Sequence, residues 1–280
     1  MAHPLFRFPW LNLFLFFATL FSTMFVGALL GNSLFTLEMP ALVTGFLFAA
    51  TLLLILGVHE LGHYFLARLH GVDVSLPYFI PVPFGLGTFG AFIRLRSPVQ
   101  NRRALFDVGL AGPLAGLAVA IPLFIVGLLL APVQRHPSLY GDGLLMTGLI
   151  WLVERLRGLP PGHHLMLHPI SFAAYIGLFI TAVNLLPAGQ LDGGHVAYAL
   201  LGRRSLLLAI LAVLLLGLLG LATGWTSWYL WAGLILLFGL RHPPTLDDSQ
   251  ALNRLRQGLG VVAFLLLLLL FGADPFPVFR

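Results

Sequence analysis

The sequence predicts an all-α polytopic membrane protein. It expects about six to seven transmembrane helices, with a short β-hairpin dipping into the membrane after the second. Three observations carry this. Hydrophobic residues make up 59% of the 280 positions and charged residues only 9%, where soluble domains carry roughly a quarter charged. Mean hydropathy is +0.98, so the chain lacks the polar surface it would need in water. The apolar residues gather into seven runs, at about 9–31, 41–66, 105–131, 171–191, 205–222, 225–240 and 257–272, several long enough to cross a bilayer as helices.

The first run, in "MAHPLFRFPWLNLFLFFATLFSTMFVGALLG", exceeds the roughly 7–15 apolar residues of a signal-peptide core. It reads as an uncleaved first helix. After the second run comes "PYFIPVPFGLGTFGAFIRLRSPVQNRR", which Pro and Gly break too often for a helix. From Thr88 to Arg96 it alternates, with Phe89, Ala91, Ile93 and Leu95 on one side and Gly90, Phe92, Arg94 and Arg96 on the other. That is strand periodicity. Irregular backbone at membrane depth must be buried in protein or line a wet cavity.

The fifth and sixth runs are short and could form one hairpin around "ATGWTS". In "RHPPTLDDSQALNRLR", Asp248 or Ser249 is expected to cap the last helix, which makes the Asp247-Asp248 pair a cap rather than a metal site. The connection 132–170 is too short for a typical folded domain, so 1–280 reads as one membrane-embedded unit. Its core is expected at about 41–205, with peripheral helices at 9–31 and 205–272.

Every cationic side chain other than His is Arg. With the N-terminus cytoplasmic, Arg7, Arg68, Arg94, Arg96, Arg102, Arg103, Arg203, Arg204, Arg241, Arg254 and Arg256 fall inside, and Arg135, Arg155, Arg157 and Arg280 outside. The bias satisfies the positive-inside rule. These arginines flank apolar runs, so the net charge of +5 points to lipid headgroups rather than nucleic acid. Trp225, Trp228, Tyr229 and Trp231 are expected as an aromatic belt at the outer surface. With no cysteine, any metal must be held by His, Asp or Glu.

"GVHELGHY" closes the second run. His59 and His63 are four apart, so a helix puts both imidazoles on one face, where they can share a metal ion, with Glu60 beside them as general base. This is the HExxH arrangement of zinc hydrolases. Ionisable groups at membrane depth are functional by default. A helix over 41–66 is roughly 39 Å long and puts HELGH on the order of 10 Å from its cytoplasmic end. A catalytic zinc usually has three protein ligands and an open position. Glu154 is the only later glutamate, and it lies in "GLIWLVERLRGL" on the outer side, as do His136, His163, His164 and His168. Asp107 opens the third run, where a carboxylate suits a helix N-terminus. Asp192 remains. The fourth run reaches "NLLPAGQLDGGH" at the inner end, where Pro187 and Gly189 break the helix and Gly193-Gly194 loosen the segment after it. The carboxylate can then turn toward the second run.

HELGH on one span paired with "NLLPAGQLDGGH" on another resembles the site-2 protease family of intramembrane metalloproteases. "GTFGAFIRLRSPVQNRRALFDVGLAGPLAG" and "LHPISFAAYIGLFITAVNLLPAGQLDGGH" resemble its cyanobacterial and chloroplast branch. The resemblance covers about 50–205 well and the flanking spans loosely. It implies one Zn2+ held by His59, His63 and Asp192, Glu60 as catalytic base, and Asn184 holding substrate or oxyanion. Pro187 would set the break, and His195 is a candidate outer-sphere group. It implies cleavage of peptide bonds within or next to transmembrane helices of single-span membrane proteins, in the inner cell membrane near the cytoplasmic face. Strand 88–96, with Gly85, Gly87 and Gly90 allowing close backbone approach, would pair with an unwound substrate segment. No loop is long enough for the PDZ-type domain that many members carry.

Two other classes stay open at this point. A divalent-cation transporter would need an inverted repeat or a charged through-path, and a non-catalytic scaffold would only bind helices. The GxxxG-like spacing of Gly112 and Gly116 suits packing within one chain or in a homo-oligomer.

Overall fold

The computed structural model describes residues 9–34, 40–135, 140–141, 143–272 and 275. Arg7, Met39, His136 and Arg280 lie outside them. The elements run α1 (Trp10–Leu34), α2 (Ala41–Leu69), β1 (Tyr78–Pro81), β2 (Thr88–Phe92), α3 (Arg102–Leu130), β3 (Val133–Gln134), α4 (Leu144–Leu156), β4 (His164–Leu165), α5 (Pro169–Asn184), α6 (Asp192–Leu201), a 3₁₀ turn (Gly202–Arg204), α7 (Ser205–Thr223), α8 (Ser227–Phe238) and α9 (Arg254–Leu270). This is a mostly helical, multi-pass membrane protein. Four helical runs, Trp10–Gly31, Ala41–Leu69, Arg102–Leu130 and Asp192–Thr223, are long and apolar enough to cross a membrane.

Helix α5 is the axis of the molecule. Nearly every side chain from Pro169 to Val183 is buried, as expected for a helix apolar all round. Its start is written locally: the His168 ring accepts from the Ile170 N–H at 3.3 Å, Pro169 sits in the first turn, and Ser171 completes a capping box. Around it stand α2 and α3. Helices α1 and α7 face outward, with Phe14, Phe17, Phe21 and Phe25 exposed on one and Leu207, Leu211, Leu214, Leu218 and Leu221 on the other. These are lipid-facing stripes at helical spacing.

The hairpin expected after the second span is present. Strands β1 and β2 pair antiparallel, Tyr78 opposite Phe92 and Phe79 opposite Ala91, with a bulge before the Pro81–Thr88 pair. Strand structure ends at Phe92 rather than Arg96, and the chain continues through an isolated bridge between Val74 and Leu95. Helix α1 clamps the hairpin. Asn12 donates to the carbonyls of Leu76 (3.1 Å) and Pro77 (2.8 Å), and Ser22 to that of Gly87 (2.7 Å). Of the three glycines expected to permit close approach, Gly87 alone has backbone packed against it, at Thr23. Gly85 and Gly90 have open space, and both take positive φ, which they serve by conformation instead.

Five further expectations are corrected. The run 171–191 is helical only to Asn184. At 1.5 Å per residue α5 is about 24 Å long, short of a bilayer core of roughly 30 Å, because 185–191 forms a turn. Gly193 and Gly194 do not loosen the chain: both are helical and tightly packed, and a Cβ would lie 2.0 Å from the Leu185 carbonyl oxygen or 2.4 Å from that of Gly189. Helix α9 is capped by Asn253, whose side chain accepts from the Arg256 N–H at 3.0 Å. Asp247 instead binds its own loop, and Asp248 binds both that loop and the Tyr198 hydroxyl on α6. Trp228 is fully buried and Trp225 and Trp231 pack on the core, so the aromatic belt is partly interior. Asp107 lies beyond the first turn of α3, whose N-cap is Asn101. Its partners are Arg256, donating through Nε and Nη2 at 2.7 Å each, and His70 at 2.9 Å. This staple joins the ends of α2, α3 and α9.

Candidate metal centre

Helix α2 continues through HELGH to Leu69, so His59, Glu60 and His63 sit one to three turns from its end. All three are buried, at 4%, 7% and 6% exposure. The two histidines face α5 and α6. The turn after Asn184 reverses the chain so that Asp192, the first residue of α6, returns to the same level. Gly189 at φ +53° makes the reversal possible, and Pro187 keeps α5 from running on.

His59 Nε2 is 3.1 Å from His63 Nε2 and 3.1 Å from Asp192 Oδ2, and His63 Nε2 is 3.3 Å from Asp192 Oδ1. Two ligand atoms on one zinc, at about 2.0–2.1 Å and tetrahedral angles, sit about 3.3–3.4 Å apart. The three donors therefore fit one ion. Their chemistry fits as well, since two imidazoles and a carboxylate suit zinc.

The tautomer of His63 is set by its neighbour. Its Nδ1 lies 2.7 Å from the Val108 carbonyl oxygen. A carbonyl only accepts, so Nδ1 carries the proton and Nε2 keeps its lone pair for a metal. The Asn184 amide nitrogen lies 3.5 Å from His59 Nε2, at the edge of the same group. Ile93 and Glu60 line the same cavity, which brings the end of the hairpin beside the HELGH helix.

These groups line a cavity of about 240 Å³ shared with Ala91, Phe92, Ile93, Leu95, Gln190, Leu191 and His195. Three glycines on one face of α3 let that helix close on the histidines. A Cβ on Gly109 would meet His195 Cβ at 2.7 Å, on Gly112 His63 Nε2 at 2.0 Å, and on Gly116 His59 Nδ1 at 3.2 Å. Spacings of three and four put them on one helical stripe. Gly112 and Gly116 thus pack within one chain. Sequence reasoning missed Gly109 and Gln190, and the small-residue stripe was the available signal for the former.

Of the other titratable candidates, His195 lines the same cavity and Glu154 lies elsewhere. Glu154 accepts from the Leu165 N–H at 3.2 Å and lies 3.5 Å from His164, beside β4. His195 Nδ1 is 2.6 Å from His242 Nε2. His242 donates from Nδ1 to the Pro243 carbonyl at 2.5 Å, so His242 Nε2 accepts and His195 Nδ1 donates. Burial holds His242 below the ordinary histidine range, against the raising influence of Pro243 and Asp248.

Together these features define a multi-pass helical membrane protein that brings an HExxH helix and a distant aspartate to one metal-sized gap. The sequence model of Peptidase family M50 matches residues 47–219, and the chain belongs to that family. Its relatives include a protein named "Probable zinc metalloprotease EGY2, chloroplastic" from Oryza sativa subsp. indica, 33% identical over 80% of this chain and 42% of that protein. The Arabidopsis thaliana protein of the same name is 37% identical over 54% and 28%. "Probable zinc metalloprotease EGY1, chloroplastic" from Arabidopsis thaliana is 35% identical over 77% and 40%. The chain spans less than half the length of each.

Proposed function

We propose that this chain is an intramembrane zinc metalloprotease that cleaves peptide bonds within or next to transmembrane helices of single-span membrane proteins. The observation that carries the reading is the convergence of His59, His63 and Asp192 with Glu60 in one cavity walled by hairpin residues. Family membership and the names of the relatives support it.

His59, His63 and Asp192 would hold the ion, and a zinc bound there would supply Lewis acidity for a carbonyl and lower the pKa of a water molecule. Glu60 takes up the proton of the attacking water and returns it to the leaving amide nitrogen. The Asn184 amide donates to the scissile carbonyl oxygen as charge develops there. A membrane helix hides its carbonyls in its own hydrogen bonds, so the substrate must unwind. The edge of β2, continuing into the cavity-lining residues Ile93 and Leu95, supplies main-chain partners for the unwound segment.

On this reading the core is 41–205 and the remaining helices are peripheral, with six to seven crossings. The shorter apolar helices Pro169–Asn184 and Ser227–Leu237 then complete the bundle. The arginine asymmetry supports a cytoplasmic position for the site, here taken as the inner cell membrane. The named relatives are labelled chloroplastic.

Glu60→Gln tests the assignment, in detergent or liposomes with a single-span model substrate. Wild type holding about one zinc and cutting, beside a variant that keeps zinc and does not cut, is the expected pair of results. If both bind metal and neither cuts any of several helices, the reading fails and metal flux becomes the measurement.

A further inference from the structure

Where α6 turns into α7, a second polar cavity of about 400 Å³ is lined by Tyr198, Arg203, Ser205, Leu206, Arg241, His242 and Pro244. It is separate from the catalytic cavity, although His242 in its wall bonds His195 in the other.

The donors are disposed for an oxyanion. Among the described residues no carboxylate lies within ion-pair distance of Arg203 or Arg241. Arg102 adds positive potential nearby, acting with Arg203 on Tyr198. Ser205 is 7% exposed, lines the cavity, and its hydroxyl has no hydrogen-bond partner among the described residues. It is the first residue of α7, and its own N–H is taken by the preceding 3₁₀ turn, at the Gly202 carbonyl, so the hydroxyl is the donor that Ser205 offers the cavity. The other wall groups are already engaged. The Tyr198 hydroxyl donates to Asp248 at 2.6 Å, and both nitrogens of His242 have partners. Asp248 itself accepts from Thr245 at 2.6 Å.

The surroundings select the source of the anion. Leu206 lines the cavity, and from it the stripe Leu207, Leu211, Leu214, Leu218 and Leu221 runs exposed down α7, within the membrane-length run Asp192–Thr223. A headgroup seated between Arg203 and Arg241 would continue into acyl chains on that stripe. We propose that this cavity is a binding site for the phosphate of an anionic phospholipid, held by Arg203, Arg241 and the Ser205 hydroxyl.

The test uses the full chain in nanodiscs of phosphatidylcholine with one fifth phosphatidylglycerol, reading retained phosphatidylglycerol by native mass spectrometry. A surface arginine near an anionic headgroup contributes about a fivefold preference, so Arg203→Gln with Arg241→Gln should lower retention about 25-fold. The Lys versions at both positions should restore most of it. Arg94→Gln with Arg96→Gln, exposed arginines on the hairpin side, should leave it within twofold. Equal loss in that control would overturn the proposal, as would full retention in the double Gln variant. A melting temperature in pure phosphatidylcholine within a few degrees of wild type shows that the Gln variant is folded. If it is not, the single Ser205→Val variant, expected to lose several-fold, decides. Inorganic phosphate at millimolar concentration should not displace the lipid. Displacement together with protection by phosphate alone would show a free-phosphate site and overturn the lipid assignment.

Discussion

Gly112→Ala changes no ligand and should still cripple the metal centre. A Cβ there lies 2.0 Å from His63 Nε2, 2.4 Å from Cδ2 and 2.5 Å from Cε1, so it meets the ligand edge of the ring. Ordinary contact needs about 3.4 Å, so the ring must retreat by more than 1 Å or α3 must part from α2. Either movement breaks the 2.7 Å bond from His63 Nδ1 to Val108, which fixes the tautomer. Losing such an outer partner costs about 10–100-fold in metal affinity, and displacement of the ligand adds to that. Stability moves less. Overpacking costs about 1–3 kcal/mol, and exchanging Gly for Ala inside a helix offsets about 1 kcal/mol. The assay is zinc competition against a chromophoric chelator, run beside thermal unfolding. Gly116→Ala, at 3.2 Å from His59 Nδ1, should lose less than tenfold. Gly148→Ala, with nothing within 4 Å, should match wild type. Zinc affinity of Gly112→Ala within threefold of wild type would refute the reasoning.

Asn184→Ala should retain zinc while kcat falls about 10²–10³-fold, the usual loss of one oxyanion donor; a fall in zinc content of the same size would make Asn184 a structural amide. Arg256→Met leaves Asp107 with His70 alone, and after discounting for the pair's 27% and 16% side-chain exposure should destabilise by about 1–2 kcal/mol, read as a lower melting temperature. Burial raises Asp248, but hydrogen bonds from Thr245 and Tyr198 outweigh it and leave its pKa below the ordinary value. Its contribution is therefore complete above the unfolded pKa of about 3.9 and disappears as pH falls through the lower folded pKa. Asp248→Asn should flatten the melting temperature against pH below about pH 4, and an unchanged slope would count against the Asp248 contacts.

The chemistry was legible because it is local or singular. HELGH needs only helical spacing to put His59 and His63 on one face. Asp192 was left as the third candidate once side of the membrane and capping roles had set the other carboxylates aside, and the break at Pro187 and Gly189 let it turn toward the second run. Alternation at 88–96 located the hairpin, since a two-residue period survives whatever packs on it. Apolar length was a poorer guide to where elements stop. The run 171–191 is uniformly apolar, and nothing in its hydropathy distinguishes a helix that ends at Asn184 from one that crosses the bilayer. Trp228 reads like an interfacial anchor and is buried, because an indole suits either place.

What the sequence determined by itself was a membrane solvent, a helix with metal-ligand spacing and a distant carboxylate as its candidate partner, for these come from composition, period and position along the chain. Only the tertiary structure decided the rest. Gly109, Gly112 and Gly116 became the surface against which three histidines pack, and Gly193 and Gly194 became a tight joint instead of a hinge. Asp107 found Arg256 across 149 residues of chain. A glycine says that something passes close by and a lone charge says that it needs a partner. Which group arrives is set by helix packing over distances that sequence spacing does not encode.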